Sequence, residues 1–209
     1  MCGISVLGYL AMADFIPQPS LWTGLLMAGG ESRRMGQDKA LLMFEGEPLW
    51  QRQWRTLCEA GVGEVLIARG AQPWEEVEGL RRVEDVRSGC GPLGGLIGGL
   101  RHTKRRFILV LAVDVPLMAP AFLRSMMELA QREGRGVAPV IRGQYEPLVA
   151  VYSAPCLPSA EAALNRGDWS LQKLMKRCVE VGVMRELAVD ESARKFFRNA
   201  NTPADLPTR

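Results

Sequence analysis

Seven consecutive apolar residues, Phe107-Ile108-Leu109-Val110-Leu111-Ala112-Val113, stop abruptly at Asp114. A run of strand length with no polar alternation fits a strand covered on both faces, and such strands belong to parallel sheets flanked by helices. Leu25-Leu26-Met27-Ala28 and Val65-Leu66-Ile67-Ala68 have the same character. Helical patterns separate these runs. Trp50, Trp54, Leu57 and Cys58 recur at helical spacing after Pro48, which suits a first helical turn, and Gly61 stops the pattern. Phe122, Leu123, Met126, Met127 and Ala130 line one face of a helix over residues 120–133, and further helices are expected over 157–165 and 171–178, the latter capped by Ser170. Weaker strands are expected at 41–44, around Val83, and at 137–141 and 148–152 about a turn at Gly143. Strands at 179–183 and around Phe196-Phe197 close the count. The alternation predicts an α/β fold with a largely parallel, mixed sheet.

In such sheets ligands bind outside the carboxyl ends of the strands, where the strand order reverses. Two features fall there. The run at Leu25 leads into Gly29-Gly30 and then Glu31-Ser32-Arg33-Arg34-Met35-Gly36-Gln37-Asp38-Lys39. Glycines leave backbone N–H groups unshielded, and the arginines and lysine add fixed positive charge, a combination suited to a polyphosphate. The spacing is neither a Walker loop nor the dinucleotide-binding G-x-G-x-x-G. A Gly-rich turn with solvated basic residues also fits the bare residues. The second feature is Asp114, whose carboxylate at the end of a buried strand needs compensation. It reads as a Mg²⁺ ligand facing the same crevice, or as a turn or capping aspartate.

Composition narrows the chemistry. The 209 residues carry a formal charge of +3, with the basic residues scattered in pairs and triplets, which argues against a nucleic-acid footprint. Five cysteines, Cys2, Cys58, Cys90, Cys156 and Cys178, lie far apart with no C-x-x-C, as expected of reduced thiols in a cytoplasmic protein with no zinc site. His102 is the sole histidine, so a bound metal should be a hard cation on carboxylate oxygens, Mg²⁺ first. The apolar start ends in Ala11-Met12-Ala13, which mimics a cleavage site but lacks a basic leader, so residues 1–20 are read as a poorly ordered extension before a single domain over 21–209. No stretch is long and apolar enough to span a bilayer, and no membrane association is expected. Gly91, Gly95 and Gly99, with Gly94 and Gly98, recur every four residues and predict a helix pressed close against the sheet.

Five segments together carry a resemblance. They are L-x-A-G-G-x-S-R-R-M-G-x-D-K ending at Lys39, Gly91-Pro92-Leu93-Gly94-Gly95, Asp114-Val115-Pro116, Pro147-Leu148-Val149-Ala150-Val151-Tyr152, and Asn199-Ala200-Asn201-Thr202-Pro203. In these the chain resembles the molybdenum cofactor guanylyltransferases, compact members of the nucleotidyltransferase superfamily. The resemblance implies a three-layer Rossmann-like fold and transfer of GMP from GTP to the terminal phosphate of molybdopterin, with Mg²⁺ as cofactor. It implies catalytic roles for Lys39, Arg33 and Asp114, with Asp114 the metal ligand. Met27, Ala28, Gly29, Gly30, Lys39, Asp85, Gly91, Pro92, Leu93 and Asp114 would contact the nucleotide. Glu146, Asn199 and Asn201 would border the acceptor. Transient contact with molybdenum-insertion or apo-molybdoenzyme proteins is also implied.

One departure from the family pattern stands at Ile67-Ala68-Arg69-Gly70, where some members place a small polar residue able to reach the base. CMP transfer to the same pterin therefore stays open beside GMP transfer. So do a sugar-phosphate nucleotidyltransferase, against which Asp38-Lys39 in place of Pro-Lys counts, and a nucleotide-binding regulator without turnover, against which Lys39 and Asp114 count.

Overall fold

The computed structural model describes residues 16–29, 38–68, 80–200, 202 and 205. Its central strand is β1 (Trp22–Met27), paired in parallel with β4 (Glu64–Ala68) on one side and β6 (Phe107–Ala112) on the other. Every residue of β1 and β6 is buried, as uninterrupted apolar runs require. Beyond β4 lies β5 (Leu80–Val83), also parallel. Beyond β6 lie β9 (Val149–Ser153) and β7 (Gly136–Ile141), antiparallel to their neighbours, and then β10 (Met184–Ala188), parallel to β7. β8 (Gln144–Tyr145) folds back on β7 across a turn at Gly143. The order β10-β7-β9-β6-β1-β4-β5 is the expected mixed, mostly parallel α/β sheet. From β1 the chain builds outward through β4 and β5, then crosses to the opposite side of β1 with β6. The strand order thus reverses between β1 and β6, where such sheets hold their ligands.

Successive residues of a strand point to opposite faces, so Leu25 and Leu26 enter different cores. On one face α1 (Leu49–Ala60) and α3 (Pro120–Glu133) cover Trp22, Leu26 and Leu109 with Leu57, Phe122 and Met126. On the other, α2 (Pro92–His102), α4 (Leu157–Asn165) and α5 (Leu171–Glu180) cover Leu25, Met27 and Tyr152 with Leu93, Ile97 and Met175. The helix ends follow local chemistry: Gly61 (φ 98°) and Gly134 (φ 70°) terminate α1 and α3 in the left-handed conformation, and the Ser170 hydroxyl accepts the Lys173 N–H to start α5. The glycines of α2 are there for proximity. A Cβ at Gly98 would lie 2.4 Å from the Glu84 carbonyl oxygen, and one at Gly99 would lie 2.6 Å from Leu25 Cδ2.

Three expectations need correction. Residues 41–44 do not form one strand: Lys39–Leu41 is a 3-10 turn, and a hairpin joins β2 (Met43–Phe44) to β3 (Glu47–Pro48), leaving Pro48 just before the helix rather than inside it. Residues 179–183 are not a strand either. Val179 packs with the buried Leu171, Leu174, Met175 and Cys178 of α5, so the helix runs on to Glu180, turns at Gly182, and the strand begins only at Met184. Phe196 and Phe197 belong to a 3-10 turn whose rings pack on Phe122, a local contact that needs no strand. Most of residues 1–20 lie outside the described residues. Cys58, Cys90, Cys156 and Cys178 are not disulfide-bonded. No helix among the described residues is long and apolar enough to cross a membrane.

Candidate active site

The parallel strands end in register, with Met27 opposite both Ala68 and Ala112, and Ala68 opposite Val83. The ladder continues one step past the ends: Ala28 donates its N–H to Ala68 O at 3.0 Å, and Val113 donates to Met27 O at 3.2 Å. The segments following β1, β5 and β6 therefore leave from one edge. Met27 and Ala28 are buried there and Gly29 is exposed.

At the point where the order reverses, Lys39 Nζ lies 3.6 Å from Asp114 Oδ2, with both side chains partly exposed (32 % and 23 %). An ion pair with this much solvent access contributes about 0–1 kcal/mol, so its significance is chemical. It brings a fixed cation and a carboxylate together at the mouth of the sheet. Lys39 is set by the 3-10 turn it opens, where the Asp38 carboxylate accepts the Ala40 N–H at 3.0 Å and Ala40 is fully buried. Asp114 is held through its own carbonyl, which accepts the Ala200 N–H at 2.7 Å.

Asp85 stands two residues past β5. It is exposed at its surface, yet α2 packs behind it: a Cβ at Gly95 would lie 3.2 Å from Asp85 Oδ1, 3.2 Å from Met27 Cε and 2.7 Å from Ala68 Cβ. This desolvation pushes the Asp85 carboxyl above the usual aspartate range, with Arg82 pulling the other way. The same packing sets the start of α2 over the ends of β1, β4 and β5. Gly91 caps it in a conformation (φ 60°) that favours glycine, Pro92 begins the helix and Leu93 is buried.

The acceptor-side residues come from two further segments. Ala112 donates its N–H to Leu148 O at 2.8 Å, which puts the approach to β9 beside the end of β6. Glu146 lies just before, its backbone fastened to Pro139 and Val149. Burial pushes its carboxyl up. Asn199 is exposed and precedes Ala200, the residue bonded to Asp114. Thr202 donates its N–H and hydroxyl to the Asp205 carboxylate, a local turn. Gly30, Arg33 and Asn201 lie outside the described residues. His102 occupies the last turn of α2, the end away from Gly91, where Nδ1 meets Gly98 O at 2.8 Å.

Sequence reasoning missed two residues. Arg52 donates from Nε to Pro116 O at 2.8 Å, and the fully buried Gln53 donates from Nε2 to Val115 O. Arg52 reads as an ordinary helix-surface charge. Gln53 carried a signal, since it falls midway between the buried Leu49 and Leu57 at four-residue spacing, where an apolar residue is expected.

Taken together, the edge offers an exposed glycine, a lysine and two carboxylates. It suits a polyphosphate and a hard cation, and the lone histidine is elsewhere. Residues 24–181 match the family model described as the MobA-like NTP transferase domain. A probable molybdenum cofactor guanylyltransferase of Opitutus terrae is 40% identical over 189 residues, covering 89% of this chain and 93% of the relative. Another, from Pelotomaculum thermopropionicum, is 39% identical over 189 residues, covering 88% and 89%. Among solved structures, molybdopterin-guanine dinucleotide biosynthesis protein A from Archaeoglobus fulgidus has the same fold, with a TM-score of 0.69 at 22% identity over 88% of this chain and 94% of that one.

Proposed function

This chain belongs to the MobA-like NTP transferase domain family, and from that premise we propose that it transfers GMP from GTP to the terminal phosphate of molybdopterin. A phosphate oxygen of the acceptor bonds to the α-phosphorus of GTP, the bond between that phosphorus and the bridging oxygen to the β-phosphate breaks, and pyrophosphate leaves. The products are molybdopterin guanine dinucleotide and pyrophosphate. Relatives at about two-fifths identity carry the guanylyl name, which favours GMP over CMP transfer and over a sugar phosphate acceptor.

The observation that carries the reading is the meeting of Lys39 and Asp114 where the strand order reverses. In this mechanism the Met27–Gly30 backbone follows the triphosphate, while Lys39 and Arg33 offset its charge. Gly91, Pro92 and Leu93 border the base and ribose. Glu146, Asn199 and Asn201 border the pterin. The acceptor phosphate is already anionic, so no side chain needs to remove a proton from it, in keeping with a histidine placed at the far end of α2. Catalysis is then alignment and charge neutralisation.

The donor set also fits Mg²⁺. The candidate ligands, Asp114 and Asp85, are hard carboxylates, and the described residues contain no cluster of three or more His, Cys, Asp or Glu that would make an all-protein cage. Mg²⁺ is typically held by one or two carboxylates together with substrate phosphates. Bound there, it would supply positive charge to the phosphoryl oxygens. The unbonded cysteines suit a reducing cytoplasm, where the product would pass to molybdoenzymes. Pyrophosphate release from purified molybdopterin, measured with GTP and with CTP in the presence of Mg²⁺, tests the assignment. Turnover with GTP at least about tenfold above CTP is expected, a difference of about 1.4 kcal/mol in the activation barrier. Equal rates would remove the guanylyl assignment.

A further inference from the structure

Lys39 and Asp114 come from distant parts of the chain, and both lie beyond the strands, where the sheet no longer dictates their spacing. Their ion pair is too exposed to set it alone. One side chain ties the two segments together. Arg52 of α1 donates from Nη1 to Glu45 Oε2 at 2.9 Å and to Glu47 Oε1 at 3.3 Å, and its guanidinium carbon lies 4.7 Å from the centre of the Phe44 ring. These are the residues of the β2–β3 hairpin that follows Lys39. From Nε the same guanidinium reaches Pro116 O, two residues past Asp114.

The neighbouring contacts reinforce the bridge. Gln53 donates to Val115 O from full burial, and losing that donor would leave a carbonyl in the Asp114 segment unsatisfied. The start of α1 is fastened to the segment after Lys39, because Leu49 donates its N–H to Leu42 O at 2.9 Å. Leu117, just past Pro116, packs on Leu42, Phe44 and Leu49. Resting on the catalytic reading of Lys39 and Asp114, we propose that Arg52, assisted by Gln53, is the positioning residue that sets the spacing of that pair. A guanidinium suits this because its planar fork serves acceptors in different directions at once, which a lysine ammonium on a flexible stem does not.

The test is a double-mutant cycle on pyrophosphate release, with kcat and KM for GTP measured separately. The variants are Arg52→Met, Arg52→Lys, Gln53→Met and Lys39→Ala, each checked for a cooperative melt. Misplacing reacting groups by about 1 Å costs on the order of a hundredfold. Arg52→Met is therefore expected to lower kcat by about ten- to a hundredfold with KM for GTP changed less than about threefold, and Gln53→Met to act in the same direction more weakly. Arg52→Lys should recover only part of the loss.

The decisive arm is Arg52→Met combined with Lys39→Ala. A residue acting through Lys39 adds little further loss once Lys39 is gone, whereas a merely structural residue adds its full effect. Unchanged kcat in Arg52→Met, or an undiminished effect in the Lys39→Ala background, overturns the inference and leaves the catalytic reading intact. Normal turnover in Lys39→Ala itself overturns both. Should Arg52→Met fail to fold, Gln53→Met in the same two backgrounds decides the matter by the same comparison.

Discussion

Asp114 and Asp85 follow two strands of one sheet, β6 and β5, and are held in different ways. Asp114 stands two residues past a central strand. Its carbonyl is bonded to Ala200, the next two carbonyls are gripped by Gln53 and Arg52, and its carboxylate faces Lys39 at 3.6 Å. Asp85 follows the edge strand, exposed on its outer side and backed by a helix that comes so close only because Gly94 and Gly95 have no side chains. The nearest backbone tie on the described residues is a long one, from the Val86 N–H to Gly94 O at 3.5 Å, and burial outweighs Arg82 in the titration of Asp85. A strand-end aspartate is thus anchored by backbone clamps and a cation at the centre, and at the edge is left to the packing behind it. The first arrangement suits a fixed ligand for charge, the second an adjustable one.

The largest effects should fall on the central pair. Asp114→Asn and Lys39→Ala are each expected to lower kcat by at least about a hundredfold, the usual scale for a lost electrostatic contact in a transition state. Melting temperatures should move by only about 2–4 °C or less, since the exposed pair stabilises by about 1 kcal/mol at most. Asp85→Asn should cost clearly less than Asp114→Asn. Equal losses at the two aspartates would erase the distinction between them.

Next comes the packing behind Asp85. Gly95→Ala forces a Cβ to within 2.7 Å of Ala68 Cβ. Overpacking of this kind costs about 1–3 kcal/mol, so calorimetry should show a melting temperature several degrees lower, together with weaker GTP binding. A normal melt with normal binding would mean that the close approach of α2 is incidental.

The smallest effects concern pH. A carboxyl whose folded value is raised contributes stability that is fully present below its unfolded value and lost as pH rises through the folded one. Asp85 and Glu146 both have this sign. Asp85→Asn and Glu146→Gln should therefore melt slightly higher than the parent at neutral pH, with the gain vanishing below about pH 4. Melting curves from pH 3 to 7 check this, and a gain that grows toward acid would reverse the assignment.

Much of this was legible in the sequence. The strands β1, β4 and β6 announce themselves because burial on both faces leaves no room for polar alternation. Rise and register then place Gly29 and Asp114 on one edge. The four-residue glycine spacing of α2 likewise foretold its contact with the sheet. The clamps on Asp114 were not legible, because an arginine on a helix reads as solvated until a distant loop supplies its acceptor. The end of α5 was misread for a related reason: Val179 suits a strand or an apolar helix face equally, and only packing decides. The β2–β3 hairpin is too short for periodicity to mark.

Everything proposed for catalysis requires that Lys39 and Asp114 jointly receive the donor triphosphate, and a crystal structure with a non-hydrolysable GTP analogue and Mg²⁺ would show whether they do. The phosphates are expected to lie between the Lys39 amine and the Asp114 carboxylate and to displace their 3.6 Å pairing. A triphosphate bound elsewhere, with that pairing intact, would refute it.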